Sequence, residues 1–455
     1  MMRRAPRGAG AAAYGGPGQR REILRLAVPA FLALIAEPLF LLADSAIIGH
    51  LGTAQLAGLG VASAALMTAA GIFVFLAYGT TSVVARHLGA GDEKSAVAAG
   101  IDGLWLALGL GAATTVLVAF GAGPISGLFG ASEVAHAHAT TYLRISALGL
   151  PAMLVVMAVT GVLRGLQDTR TPLVASVAGF GANVLLNLLF VYGFGWGIAG
   201  SAWGTVIAQT GMAAALVVVL LRKARELESH VKPHPGRVLA AARTGVPLLV
   251  RTLALRATLL VTTWVAASLG DVPLAAHQVA LTIWSFLAFA LDALAIAAQA
   301  ITGRALGAGD TAGVRAAMNT MLGWGVGGGA LLGLAVVALH RVLPALFTPD
   351  AAVRDALAAA LVVVGLGQAV AGLVFVLDGV LIGAGDGRWL AWGQVAMFVA
   401  YLPLALWVRA AGPSGSGSRD VVMLWLAFTG FMVIRGALLS WRGRQDAWMV
   451  VGASR

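Results

Sequence analysis

The sequence lacks cysteine, which excludes disulfide bonds, a thiolate nucleophile and a zinc–thiolate site. It is also poor in charge: Asp, Glu, Lys and Arg make up 11% of its 455 residues, whereas soluble proteins carry roughly 25%. The histidines are scattered and have no metal-ligand spacing. The stretch "GAGD" at 89–92 is too short for a phosphate-binding loop and lacks its lysine, so we expect neither a cofactor nor ATP drive within this chain.

Long apolar runs dominate what is present. Hydrophobic residues account for 59% of the chain, the mean hydropathy is +0.90, and a helix needs about 20 apolar residues to cross a bilayer. We therefore predict an all-α integral membrane protein with twelve transmembrane helices. The predicted spans cover residues 24–48, 56–86, 95–121, 134–163, 170–193, 198–221, 240–268, 274–304, 313–343, 351–383, 388–411 and 420–441.

The distribution of basic residues predicts the orientation. With the N-terminus inside, 22 of the 30 Lys and Arg residues fall in inner segments and adjoining span ends, and four fall in outer segments. This bias explains the net charge of +11 without a nucleic-acid partner. We expect a multi-pass protein of a bacterial-type inner (plasma) membrane with both termini cytoplasmic. Residues 1–22 lack the apolar core of a signal peptide and are predicted to be a disordered cytoplasmic tail.

The chain contains two copies of one unit. The segment "ARHLGAGD" at 85–92 returns as "GRALGAGD" at 303–310, so that Arg86 falls on Arg304 and the offset in numbering is 218. The same offset, without gaps, places "GVLRGLQDTR" at 161–170 on "GVLIGAGDGR" at 379–388. Apolar helices that were similar by chance would not keep register through their loops, so the repeat predicts duplicated structural units.

Each unit holds six spans, so both enter the membrane from the same side. We predict two pseudo-symmetric six-helix bundles, an N-lobe at 23–222 and a C-lobe at 239–442. A cytoplasmic linker at 223–238 joins them, and a cytoplasmic tail at 443–455 follows. Parallel repeats place a cavity between the lobes. This arrangement predicts a transporter that works by alternating access, and not an enzyme.

Several motifs resemble one family. These are "LLADSAIIGHLG" in the first span, "RHLGAGD" after the second, "GVLRGLQDTRTP" after the fourth, "PLAAHQVALTIWSF" in the eighth and "DGVLIGAGDGR" after the tenth. In order and spacing they are similar to the multidrug and toxic compound extrusion (MATE) family, and most similar to its DinF-like branch. The resemblance covers residues 22–441. It implies two six-helix lobes around a V-shaped cavity, and export of organic, often cationic, compounds. It also implies drive by inward flow of protons or, alternatively, sodium ions. We expect a monomer in the lipid bilayer.

Asp44 is the first candidate for coupling. Burial disfavours the charged form of a carboxyl group, so an acid in a cavity within the membrane can bind and release a proton. The resemblance implies the same role for this position, and the alternative is a carboxylate that reaches the outer interface. Asn183 and Asn187 lie four apart on one helix face and are candidate partners of Asp44, or amides that pack helices together. Related proteins can carry an aspartate at the position of Asn187, and the asparagine here removes one titratable group from a two-carboxylate site.

Glu37 precedes Asp44 by seven residues on nearly the same helix face, and Pro38 follows it. Proline removes a helix hydrogen bond, so Pro38 is a candidate hinge that protonation would bend. The alternative for Glu37 is a structural ion pair.

Four further charged residues form a candidate charge site in the C-lobe. We predict that Arg251 or Arg256 pairs with Asp292 or with Glu37. Asp378 lies near the cytoplasmic end of the tenth span, where it either belongs to a cation or substrate site or caps nearby backbone. Intramembrane charges are costly, which makes each of these residues a functional candidate.

Two other functions compete with drug export. A flippase of a lipid-linked precursor would need a more cationic cavity than Arg251 and Arg256 provide. An intramembrane transferase or hydrolase would need a His–Asp or metal cluster at one interface, and the sequence has none in evidence.

Overall fold

The computed structural model describes residues 17–128 and 132–453, although the side chains of five of these residues are not described. The described chain is helical and contains no β-strand. The helices are α1 (Pro17–Gly49), α2 (Thr53–Phe73), α3 (Phe75–Gly89), α4 (Glu93–Gly127), α5 (Glu133–Ala147), α6 (Leu150–Gly165), α7 (Arg170–Leu188), α8 (Gly197–Glu226), α9 (Pro235–Ser268), α10 (Asp271–Gly307), α11 (Thr311–Leu339), α12 (Leu343–Phe347), α13 (Ala351–Gly383), α14 (Gly387–Ala411) and α15 (Gly417–Arg444).

The helices fit the predicted spans. Among the described residues, ten helical stretches are long and apolar enough to cross a membrane, with α2 and α3 counted as one of them. Helices α5 and α6, which meet at a 53° bend, would make an eleventh span. Helix α1 is 33 residues long and packs between α7 and α10. If α1 is counted as a span, the total is the predicted twelve. Helix α12 has only five residues and is too short to add another span.

The internal repeat is visible in how the helices begin. Asp92 caps α4 by accepting a hydrogen bond from the Ser95 backbone N–H at 2.9 Å, and Asp310 caps α11 by accepting one from Gly313 at 2.8 Å. Both the caps and their donors are related by the offset of the sequence repeat. An acidic cap satisfies a free N–H group and complements the helix dipole. The predicted duplication is therefore confirmed down to single hydrogen bonds.

Small residues allow the helices of each lobe to pack closely. In the C-lobe, Gly325, Gly329 and Gly333 lie four residues apart on α11, and they face the backbone of Gly372, Gln368 and Gly365 of α13, respectively. A methyl group at any of these positions would collide with the backbone of the other helix. Lipid offers no hydrophobic drive for helix association, so this close approach supplies packing energy instead.

The lobes join at one end of the bundle, which we call the linker side because α8 ends and α9 begins there. The ends of α3 and α10 meet in a pseudo-symmetric contact: Gly89 lies on the carbonyl of Arg304, and Gly307 lies on that of Arg86. Ser82 donates to the Gly383 carbonyl at 3.1 Å across the same junction. These contacts match a V whose apex is on the linker side.

The helices extend further than hydropathy predicts. Helix α1 begins at Pro17, inside the segment predicted as a tail, while residues 1–16 lie outside the described chain. Helices α8 and α9 run into the predicted linker from both sides, which leaves only 227–234 outside helices. Polar residues mark where an apolar span reaches the membrane surface. Many of them have good helix propensity, so the helix can continue beyond that point.

The last described residues pack onto the linker side. Trp448 is fully buried, and the Val450 carbonyl accepts a hydrogen bond from the Arg86 guanidinium of α3 at 2.6 Å. The Arg315 guanidinium donates to the Gln445 carbonyl at 2.7 Å and forms an ion pair with Asp446 at 2.6 Å. This C-terminal segment therefore ties both lobes together at the apex.

Candidate functional site

Asp44 lies inside the N-lobe and is 2% exposed. Its Oδ1 accepts hydrogen bonds from the Ser201 hydroxyl at 2.6 Å and from Asn187 Nδ2 at 2.8 Å, and its Oδ2 accepts one from the Tyr142 hydroxyl at 3.3 Å. All of these donors are uncharged. Within the described chain no cationic side chain forms an ion pair with Asp44, so hydrogen bonds alone compensate its burial.

Helix α7 brings the two predicted asparagines to this site. Asn187 Nδ2 also donates to Asn183 Oδ1 at 3.0 Å, and Asn183 Nδ2 donates to the Thr205 hydroxyl of α8 at 3.0 Å. The i, i+4 spacing stacks both amides on one face of α7. The network therefore runs from Asp44 through two amides to a threonine.

Local backbone features fix this geometry. Gly204 of α8 lies directly against the Asn187 side chain, where any larger residue would displace the amide. A π-helical turn, Leu189–Gly193, follows α7, and Tyr192 within it donates to the Ile47 carbonyl of α1 at 2.6 Å. Single π-helical turns are frequent at functional sites. Here the turn holds α7 against α1 one turn beyond Asp44.

The C-lobe positions that correspond to Asp44 and Asn183 carry no charge. The repeat offset takes Asp44 to Thr262 and Asn183 to Tyr401. Thr262 and Tyr401 form a buried hydrogen bond of 2.7 Å between their hydroxyl groups. Each lobe thus has a polar contact between corresponding helices, α1 and α7 in the N-lobe and α9 and α14 in the C-lobe, but only the N-lobe version can gain or lose a proton at ordinary pH.

Asp378 lies in a buried ion-pair cluster instead. Arg251 of α9 contacts both carboxylate oxygens of Asp378, and Arg435 of α15 donates to Oδ2 at 2.6 Å. All three residues are buried. Arg251 therefore pairs with Asp378 rather than with the predicted Asp292. Sequence reasoning assigned Asp378 either to a cation or substrate site or to a backbone cap. In the structure its carboxylate instead accepts hydrogen bonds from two guanidinium groups.

Asp292 lies where the two lobes face each other. It is half-buried on α10, beside the hydroxyl of Tyr78 from α3 and within electrostatic range of Arg164 from α6. The Arg251 guanidinium lies 6.0 Å from the centre of the Tyr78 ring. The candidate C-lobe charges consequently extend across the interface to two N-lobe residues, Tyr78 and Arg164.

Three predicted residues stand apart from both clusters. Arg256 is exposed, and its guanidinium lies on Gly71 of α2, across the gap between the lobes. Glu37 is part of α1, but its side chain falls outside the description, so its pairing stays a prediction. The helix continues without a break through Pro38, whose role as a hinge also stays a prediction.

Comparison with known proteins decides the family. The sequence model of the MatE family matches residues 29–189 and 247–407, two segments related by the same offset as the internal repeat. The chain belongs to the MATE family. These proteins are transporters of the multidrug and toxic compound efflux class and are not enzymes.

Individual MATE relatives match over most of the chain. Protein DETOXIFICATION 44, chloroplastic, of Arabidopsis thaliana is 32% identical over 92% of this chain and 81% of its own length. DNA damage-inducible protein F of Escherichia coli is 32% identical over 64% of each chain. The Vibrio cholerae MATE transporter VcmN in the bent form has a TM-score of 0.82 at 22% identity, covering 95% of this chain and 98% of that one. The last match supports the MATE fold alone.

Sequence reasoning missed several residues of these clusters. Ser201 and Thr205 lie four apart in an apolar span, and this weak signal does not reveal their partner. Tyr142 gives no signal, because only tertiary packing of α5 against its neighbouring helices brings it to Asp44. Arg435 was detectable as a lone arginine in the twelfth span of this MATE protein.

Proposed function

We propose that this MATE protein is a proton-coupled antiporter that exports organic, often cationic, compounds by alternating access. The observation that carries the proposal is the environment of Asp44: a buried carboxylate held by three neutral donors and by no cation of the described chain. A buried charge without a counter-charge is costly. A proton is the simplest species that removes that cost, and we therefore assign to Asp44 the charge that changes with the state of the carrier.

The surrounding groups suit both forms of Asp44. Hydroxyl groups donate to a carboxylate and can accept from a carboxylic acid, so Ser201 and Tyr142 can serve either form. Asn187 Oδ1 is buried and has no hydrogen-bond partner in the described chain. A half-turn of this amide would present Oδ1 to protonated Asp44. Protonation would thereby rearrange the contact between α1 and α7, the step that we assign to coupling.

Asp378 is the contrasting case. Its two arginines stabilise the charged form, so we assign it a structural role and place the coupling ion in the N-lobe only. The flippase alternative gains no support from this cluster, because Arg251 and Arg435 are both bound to Asp378 and are not available to a pyrophosphate.

We infer the orientation from the bias of Lys and Arg, which favours the linker side in the cytoplasm. The lobes are joined at that side, so we assign an outward-open state to the carrier. Protons would then enter Asp44 from outside while the compound leaves. We place the protein, as a monomer, in a plasma membrane of the bacterial type.

The coupling ion is tested with everted membrane vesicles and the cationic dye ethidium. We expect an acidic lumen, with equal sodium on both sides, to drive dye accumulation, and we expect a sodium gradient at equal pH to drive none. Vesicles without the protein are the control. Accumulation driven by sodium alone would transfer the role to that ion, whose oxygen ligands would include Asp44 and Asn183.

A further inference from the structure

A basic basin on the linker side is separate from both polar clusters. It is a cavity of about 750 Å³ lined by three segments: the start of α1, the turn between α6 and α7, and Arg304 near the end of α10. Three of its arginines, Arg21, Arg25 and Arg170, are exposed and form no ion pair with any described residue. The basin therefore concentrates positive charge on the linker side, where α1 and α7 begin and α10 ends.

The basin has two acids against its four arginines, and both acids already have partners. Glu22 forms an ion pair with Arg304. Asp168 accepts hydrogen bonds from the Thr171 hydroxyl at 2.6 Å and from the Thr171 backbone N–H at 3.0 Å, which caps α7. The undescribed segment 1–16 that precedes α1 contains no Asp or Glu, so its side chains cannot supply the missing negative charge.

The positions of these arginines are unfavourable without an anion. Arg21 and Arg25 lie four apart on one face of α1, where like charges repel. Arg170 is the first residue of α7 and so lies at the positive end of that helix dipole. A bound anion would relieve the repulsion on α1 and complement the start of α7.

We infer that this basin binds the phosphate of an anionic ligand, namely the headgroup of an anionic phospholipid. Arginine forks match phosphate oxygens, and basic pockets between membrane helices on the cytoplasmic side suit such headgroups. The Glu22–Arg304 pair joins α1 of the N-lobe to α10 of the C-lobe. A headgroup in the basin would therefore bridge the two lobes and stabilise their contact on the linker side.

The test uses the purified full chain in neutral detergent, titrated with phosphatidylglycerol and, separately, with phosphatidylcholine or inorganic pyrophosphate. The basin variant is Arg25→Gln/Arg170→Gln. Its matched control, Arg222→Gln/Arg225→Gln, removes the same charge from exposed sites at the end of α8 on the same side. Binding is read by native mass spectrometry, and the rise in Tm is recorded in parallel.

We expect phosphatidylglycerol to bind and to raise the Tm of the wild type and the control, and phosphatidylcholine to do neither. The basin variant should bind phosphatidylglycerol roughly thirtyfold more weakly. Arg25→Lys/Arg170→Lys keeps both charges and should keep most of the affinity, so it serves as the second test if the basin variant folds poorly. Equal binding by the basin variant and the control would overturn the site. Pyrophosphate that binds with the same variant dependence and displaces the lipid would keep a phosphate site but overturn the lipid as its source.

Discussion

Asp44→Asn is expected to abolish ethidium accumulation driven by a pH gradient. A gradient of about two pH units supplies about 2.7 kcal/mol per proton, enough for roughly a hundredfold accumulation if one proton moves with no other cost. Asparagine keeps the size of the side chain and cannot exchange a proton. The variant should therefore bring the dye ratio from that scale to near one, measured by fluorescence in everted vesicles.

Two controls separate lost coupling from lost folding. Asp271→Asn removes an exposed acid at the start of α10 and should leave accumulation unchanged. The Tm of Asp44→Asn in detergent should stay close to that of the wild type, because an amide can still accept from Ser201 and Asn187. Accumulation at the wild-type level by a folded Asp44→Asn carrier would remove Asp44 from the mechanism.

Asp378→Asn is expected to cause the largest loss of stability. It leaves the buried guanidinium groups of Arg251 and Arg435 without their counter-charge, and truncation of one partner of a buried pair costs about 3–5 kcal/mol. The free energy of unfolding in detergent measures this loss. The matched control is Asp446→Asn: Asp446 also pairs with an arginine, but its side chain is 87% exposed, and surface pairs contribute about 0–1 kcal/mol.

A triple variant tests the reason for that loss. Arg251→Met/Asp378→Leu/Arg435→Met removes all three charges together and should recover most of the stability lost in Asp378→Asn, because apolar residues of similar size often replace buried ion pairs without cost. A stable Asp378→Asn protein that cannot transport would instead assign Asp378 to coupling or to substrate binding, as one of the sequence-based alternatives holds.

The fold was predictable from the sequence because the membrane constrains it strongly. Long apolar runs can only be helices in lipid, and the ungapped repeat defines two equivalent lobes. The same offset relates the helix caps at Asp92 and Asp310. It also relates the two segments that the family model matches. The ends of α8 and α9 were not predictable to the same degree, because hydropathy reports the membrane boundary and a helix can continue beyond it.

The site was predictable only in part. Asp44, Asn183 and Asn187 were identifiable because an intramembrane acid and two amides at helical spacing are rare. Ser201 and Tyr142 reach Asp44 from α8 and α5, and such contacts depend on tertiary packing, which no local pattern encodes. The pairing of Arg251 with Asp378 was missed for the same reason: the repeat gives the depth of a residue in the membrane, but not the direction in which its side chain points.

The most direct test of the central claim is proton release on substrate binding. Ethidium is added to the detergent-purified carrier in weakly buffered solution between about pH 5 and pH 9, and released protons are counted while dye binding is followed by fluorescence. We predict that the wild type releases up to one proton per bound dye in part of this range, and that Asp44→Asn binds dye without release. The same release from Asp44→Asn, or binding to the wild type without release at any pH, would contradict the account.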